Sequence, residues 1–142
     1  MIVHQWPIFT IYQWQQEMFD GLYATFEKAV KADSVFCLPV VWDKLLLVKE
    51  RQPLTYWYIW MIGWSVENWL TNKQSMRAEL LQEWWITVNS LQLYKSYSNP
   101  WKVQFSQHIY IAKWCAITAP QQLDPWGEEI EVIEMTFDDF VD

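Results

Sequence analysis

The chain has 142 residues, of which 52% are apolar, and a formal net charge of -7. These values predict one domain with a buried core over residues 1–142, and they exclude a nucleic-acid polymer as the main partner, because little basic charge is available to neutralise phosphates. The longest nearly apolar stretch, residues 56–64, falls far short of the ~20 residues of a membrane span, so we expect a cytoplasmic protein without a membrane partner.

Four strands are predicted in the first part of the chain, from segments rich in β-branched and aromatic residues. Asp20-Gly21 separates the first two and predicts a hairpin whose turn residues both take positive φ. Trp42-Asp43 separates the other two. The predicted strands are residues 11–19, 22–30, 34–41 and 44–51.

The rest of the chain predicts one helix between further strands. Residues 71–84 form the best helix, capped by Thr71 or Asn72. Its predicted apolar stripe consists of Met76, Leu80, Leu81 and Trp84. The other predicted elements are a short strand and loop over 56–69, strands at 87–97, 104–117 and 129–137, and a terminal helix or frayed end. This order of strands, one helix and further strands predicts an α+β fold with a mixed sheet.

Cysteine and histidine are too scarce for a disulfide framework or a histidine-rich zinc site. Cys37 and Cys115 could form one disulfide, but we expect free core thiols. His4 and His108 are the only histidines, which argues against zinc.

Two carboxylates lie one helical turn apart on the predicted helix. Glu79 and Glu83 share a face, with Gln82 beside them. Two carboxylates on one face repel each other unless a cation lies between them, and hard divalent cations bind carboxylate oxygens. The pattern therefore predicts a divalent metal site with Gln82 as a neutral oxygen ligand. The alternative is a solvated acidic helix face.

The stretch from Trp64 to Ile86 resembles the Nudix box, the signature of the Nudix hydrolases. That box consists of G, five residues, E, seven residues and then R-E-U-x-E-E-x-G-U, where U is a bulky aliphatic residue. Laid on the chain without gaps, it matches at Glu79, Leu80, Glu83 and Ile86. The preceding loop is similar to the family's G-G-x-V-E-x-G, which the chain matches at Gly63, Val66 and Glu67.

The same stretch departs from the Nudix box at several positions. Leu70 replaces its first Glu, Ala78 its Arg, and Gln82 the first Glu of its pair. Arg77 is one residue too early to replace the Arg, since one residue rotates a side chain by ~100° around a helix. Three of the family's glycines are replaced by Trp64, Trp69 and Trp85.

Segments outside the box extend the resemblance over most of the chain. Residues 44–53 and 108–116 look like the strands before and after the box in ADP-ribose and related sugar-nucleotide pyrophosphatases, and residues 124–132 look like their acidic C-terminal loop. Residues 17–27 also suit that subgroup. The resemblance implies a Nudix-type α/β/α sandwich with a mixed central sheet, divided into an N-terminal strand hairpin over 1–33 and a Nudix core over 34–142.

The resemblance implies a pyrophosphohydrolase that uses Mg²⁺ or Mn²⁺ to cleave the diphosphate of a nucleoside diphosphate linked to another group, of ADP-ribose or nucleotide-sugar type. The implied metal ligands are Glu79, Glu83 and Gln82, and the implied catalytic residues are Glu83, Glu79 and Glu129. The base is Glu83 itself, Glu129 or Glu128. The implied substrate-binding residues are Gly63, Glu67, Arg51 and Glu128. Many ADP-ribose-type relatives are homodimers, which favours a homodimer here.

Two other functions are compatible with the sequence. One is a catalytically impaired Nudix-fold module that binds or senses a nucleotide, because Leu70, Ala78 and Gln82 remove charge from the metal cluster. The other is an unrelated acidic α+β interaction domain, which predicts no effect of metal on stability.

Tryptophan is abundant and glycine is scarce. The chain has 12 tryptophans and 3 glycines, whereas average usage gives about ten glycines in a domain of this size. At least six tryptophans lie where a turn, a helix end or the Nudix box requires glycine, namely Trp42, Trp64, Trp69, Trp85, Trp101 and Trp126. Because the codon UGA differs from the glycine codon GGA by one base, we hypothesise that many of these residues are glycine in the natural protein. The rival is an aromatic-rich relative that has abandoned the chemistry.

Overall fold

The computed structural model describes residues 1–66, 70–119 and 129–141. Within these residues, ten strands and two helices are present. The strands are β1 (Ile2–Gln5), β2 (Phe9–Glu17), β3 (Tyr23–Lys31), β4 (Ser34–Val41), β5 (Lys44–Arg51), β6 (Tyr58–Trp60), β7 (Ile62–Ser65), β8 (Ile86–Asn99), β9 (Val103–Ile117) and β10 (Glu129–Thr136). The helices are α1 (Asn72–Gln82) and α2 (Phe137–Val141).

All ten strands belong to one mixed sheet, as predicted. Its main path runs β1-β2-β3-β9-β4-β5-β10, with β6 paired to β5, β7 to β4 and β8 to β9. The central strand β9 is parallel to β3 and β4 but antiparallel to β8. The order of elements thus confirms an α+β chain with a mixed sheet and few helices.

The N-terminal strands form the predicted hairpin, but its turn differs from the prediction. The amide of Met18 donates to the carbonyl of Leu22 at 2.8 Å, and Gly21 alone in the turn has positive φ, at 80°. The expectation of positive φ at Asp20 is therefore wrong, because this longer loop needs only one left-handed residue. Strand β3 joins β9 through two residue pairs, Ala29 with Val103 and Val30 with Gln104. The division of the chain at residue 33 stays a prediction.

The core lies between helix α1 and the centre of the sheet. Helix α1 packs on β4, β7 and β8. The buried cluster consists of Val35, Cys37, Leu46, Val48, Ile62, Met76, Leu80, Ile86, Leu91, Tyr110 and Ala112. No helix in the described ranges is long and apolar enough to cross a membrane.

Both cysteines are free, as expected from the sequence. Cys37 is buried and Cys115 is half-buried. Burial, with a smaller contribution from the neighbouring Cys115, raises the pKa of the Cys37 thiol above its usual range. Burial also raises the pKa of Cys115. A raised pKa disfavours the thiolate, which is the reactive form of cysteine.

Candidate active site

Helix α1 carries the candidate site and has a well-defined start. The hydroxyl of Thr71 accepts a hydrogen bond from the amide of Gln74 at 3.2 Å, and the Gln74 side chain accepts one from the amide of Thr71 at 3.0 Å. This is a capping box, which satisfies two backbone donors at the helix start. The C-cap is Glu83, whose amide donates to the carbonyl of Glu79 at 3.0 Å. The helix thus ends two residues before the predicted bound.

The buried face of α1 differs from the predicted apolar stripe. Glu79 is only 8% exposed and lies on the same face as Met76 and Leu80, whereas Leu81 is 49% exposed. Residues three and four apart share a helix face, so a face that starts at Met76 includes Glu79 and Leu80 and leaves Leu81 outside. The predicted apolar stripe is therefore wrong at Leu81, and the buried face includes Glu79 instead. Glu79 is a buried carboxylate and not part of a solvated acidic face.

The last turn of α1 is acidic. Glu79 and Glu83 are one turn apart there, Gln82 and Glu83 are exposed, and the turn contains no basic residue. A helix carries partial negative charge at its C-terminal end, so carboxylates are unfavourable at this position unless a cation is near. The oxygen donors of Glu79, Glu83 and Gln82 suit a hard divalent cation.

The described residues supply only part of a metal site. In residues 1–66, 70–119 and 129–141, no three His, Cys, Asp or Glu side chains form a group suited to a metal ion. Glu67 and Glu128, both predicted to bind substrate, lie outside the described residues. The three predicted metal ligands, Glu79, Gln82 and Glu83, lie in the described residues, and their role as ligands stays a prediction.

Arg77 anchors helix α1 to the sheet. Its guanidinium donates to the carbonyl of Val88 at 2.6 Å and to that of Asn89 at 3.5 Å, both on β8. These bonds direct the guanidinium to the backbone of β8. This position agrees with the expectation that Arg77 does not replace the arginine of the box.

Gly63, predicted to bind substrate, lies on β7 against an aromatic ring. A Cβ atom at this position would come 2.3 Å from Cδ1 of Phe36. That separation is far below van der Waals contact, so the close approach of β7 to β4 requires glycine here. The packing role of Gly63 is established by this contact, and its predicted role in substrate binding stays a prediction.

Gly63→Ala is expected to destabilise the protein by about 1–3 kcal/mol, the usual cost of overpacking. Urea unfolding of the variant measures this loss. In the double variant with Phe36→Ala, the obstructing ring is absent, so the combined loss should be clearly smaller than the sum of the two single losses. Additive losses would show that the Phe36 ring is not what excludes a side chain at position 63.

Arg51 and Glu129 face each other across the antiparallel pair β5–β10. Nη2 of Arg51 lies 2.5 Å from Oε2 of Glu129, and the Arg51 guanidinium lies 5.0 Å from the centre of the Trp57 ring. Both side chains are exposed, and an exposed ion pair contributes only about 0–1 kcal/mol. Glu129, one of the three candidate bases, and Arg51, predicted to bind substrate, are therefore neighbours that a ligand could separate at small cost.

A groove of about 370 Å³ lies between the end of α1 and strand β10. It is lined by Leu46, Trp84, Ile86, Ile117, Ala119, Ile130, Glu131, Val132 and Glu134. Glu131 and Glu134 form ion pairs with Lys49 and Lys44 of β5, at 3.5 Å and 3.3 Å. The sequence did not predict this groove, because the pairing of β10 with β5 is what places Glu134 beside Leu46.

Comparison with known proteins supports the fold. No family model matches the chain, and no curated protein matches it. A solved structure described as an ADP compounds hydrolase is similar with a TM-score of 0.79 and 16% sequence identity, over 99% of this chain and 77% of that one. A likeness at this identity concerns the fold, and it confirms the predicted Nudix-like α/β fold.

Proposed function

We propose that the protein is a metal-dependent pyrophosphohydrolase that cleaves the diphosphate of a nucleoside diphosphate linked to another group, of ADP-ribose or nucleotide-sugar type. The observation that carries this proposal is the last turn of α1, which holds the buried Glu79 and the exposed Glu83 one helical turn apart. Carboxylate oxygens are the ligands that a hard divalent cation prefers. The likeness to an ADP compounds hydrolase supports the same reaction class.

Glu79, Glu83 and Gln82 are the residues that would hold Mg²⁺ or Mn²⁺. When bound, the metal would neutralise negative charge on the diphosphate oxygens and make a water molecule more acidic. Glu79 is only 8% exposed, and burial restricts the motion of its side chain. A ligand side chain whose motion is restricted has to rearrange less during the reaction.

The proposed reaction requires one base from the chain. The oxygen of a water molecule forms a bond to one phosphorus of the diphosphate, and the bond from that phosphorus to the bridging oxygen breaks. The proton of the water passes to a carboxylate. Glu83 at the end of α1 and Glu129 at the start of β10 are the described candidates, and Glu128 is the third.

The edge formed by β5 and the segment before β6 fits the other parts of such a substrate. The Lys49 ammonium and the Arg51 guanidinium each lie 5.0 Å from the centre of the Trp57 ring. Next to them, Tyr56 and Tyr58 are exposed. Exposed aromatic rings can stack on a nucleobase, and the neighbouring cations can pair with phosphate oxygens.

A nucleotide-binding module with impaired catalysis is the second candidate. The observation in its favour is the absence of a three-ligand group of His, Cys, Asp or Glu from the described parts of the chain. Such a module would bind the same nucleotides but release no product.

A panel of phosphate compounds tests the proposed reaction. With Mg²⁺, ADP-ribose and nucleotide sugars should yield a nucleoside monophosphate and a sugar phosphate, identified by chromatography against standards. AMP and p-nitrophenyl phosphate, which contain no diphosphate, should stay intact. Cleavage of these monoesters at a similar rate would point to a phosphatase instead. Tight binding without products would favour the sensor module.

A further inference from the structure

Three tryptophans have a backbone conformation that favours glycine. Among the described residues, four non-glycine residues have positive φ: Trp42 at 58°, Trp85 at 52°, Trp114 at 57° and Leu54 at 69°. In the left-handed region, Cβ comes too close to the following carbonyl oxygen, which glycine avoids because it has no Cβ. Tryptophan makes up 12 of 142 residues. Three tryptophans among the four non-glycine residues with positive φ are therefore a large excess.

Trp42 lies in the two-residue turn between β4 and β5. Val41 pairs with Lys44, and of the two turn residues only Trp42 has positive φ. Positive φ at the first position alone is the pattern of a type II′ turn, in which glycine occupies that position. The Trp42 side chain is 96% exposed, so almost no packing compensates for the unfavourable backbone.

Trp114 lies inside strand β9. Its neighbours Lys113 and Cys115 pair regularly with Ser90 and Val88 of β8. A left-handed residue within a strand is normally glycine, which allows a bulge or a local bend. The Trp114 side chain is 77% exposed and contributes little to packing.

Trp85 connects α1 to β8. Its carbonyl accepts hydrogen bonds from the amide and the hydroxyl of Thr118, both at 2.8 Å. These bonds fix the backbone of Trp85 as the chain leaves the helix and enters the strand. The left-handed conformation therefore follows from the connection between the two elements and not from the indole.

We infer that the natural protein carries glycine at positions 42, 85 and 114, encoded by UGA codons that its source reads as glycine. The inference does not depend on the proposed activity. It extends the sequence-based hypothesis to Trp114 and confines it to positions where the backbone requires glycine. Trp64 and Trp101 have no positive φ, and Trp69 and Trp126 lie outside the described residues.

The rival is that these indoles are genuine and functional. Trp42 and Trp114 line a groove of about 740 Å³ with Val40, Asp43, Lys113 and Cys115. Genuine indoles would make this groove an apolar binding surface. With glycine at both positions, the groove would lose its two aromatic walls.

Peptide mass spectrometry of the protein isolated from its natural source tests the identity of these residues. Peptides that cover positions 42, 85 and 114 should each show the mass loss of a tryptophan replaced by glycine. Tryptophan at these positions would overturn the inference.

Unfolding of the recombinant full-length chain tests the backbone argument separately. Trp42→Gly and Trp114→Gly should each have an unfolding equilibrium constant about 5- to 30-fold lower than the matched Trp42→Ala and Trp114→Ala variants, because alanine retains the Cβ atom. Trp101 is the control, since it is exposed and lacks positive φ. There the alanine variant should be at least as stable as the glycine variant. Equal stability of glycine and alanine at 42 and 114 would refute the geometric argument.

Discussion

Glu83→Gln is expected to lower kcat/KM for ADP-ribose hydrolysis by about 10²–10⁴-fold, the range for loss of an acid–base group. Glutamine keeps the shape of the side chain but removes the charge that would bind the cation or accept the proton. Because Glu83 is exposed at the C-cap of α1, the free energy of unfolding should change by less than about 0.5 kcal/mol. Initial rates measure the loss of activity, and urea unfolding of the same variant measures any change in stability.

Glu17→Gln is the matched control for this loss. Glu17 is an exposed carboxylate at the end of β2 in the N-terminal hairpin. Its replacement makes the same charge change away from α1 and should leave kcat/KM within about twofold, since surface changes away from a site have small effects. If Glu83→Gln retained the wild-type rate, Glu83 would have no catalytic role. Nucleotide binding that persists in a chain with no turnover would favour the sensor module.

Leu80→Ala is expected to destabilise the protein by about 2–5 kcal/mol, since it removes a fully buried side chain and leaves a cavity. Leu80 on α1 is 0% exposed and belongs to the same buried cluster as Met76 and Ile62. A loss of this size is a large part of the stability of a small domain. Chemical denaturation followed by circular dichroism measures it.

Leu81→Ala is the matched control on the same helix. Leu81 is half exposed, so its truncation should cost well under about 1 kcal/mol. Similar losses for the two leucines would mean that α1 is rotated relative to the sheet. In that case Glu79 would not be buried, and the proposed ligand pair would lose its fixed member.

The sequence was sufficient for the elements whose signals are local. Strands β4 and β5 have the predicted bounds because their apolar runs are separated by a clear turn at Trp42-Asp43. The sequence also predicts helix α1, because Thr71 can cap its start and a run of helix-forming residues follows. The sequence also predicts that the backbone favours glycine at Trp42 and Trp85, because Trp42 lies in a turn and Trp85 follows the end of the helix.

The sequence was insufficient where packing or pairing decides. Leu80 and Leu81 are both apolar, so the sequence alone did not set the rotation of α1 that buries Glu79. The contact between Arg51 and Glu129 depends on the register of β10 on β5, strands far apart in the chain. Positive φ at Trp114 likewise arises inside a long strand, where no local turn signal is present.

The most direct test of the proposed activity is the initial rate of AMP release from ADP-ribose with Mg²⁺ and with EDTA. It is measured for the chain with all its tryptophans and for the triple variant Trp64→Gly, Trp69→Gly, Trp85→Gly. The expected result is Mg²⁺-dependent release that EDTA abolishes, with the triple variant at least as fast as the parent chain. Release that is unaffected by EDTA, or no release from either chain, would contradict a metal-dependent pyrophosphohydrolase built on Glu79 and Glu83.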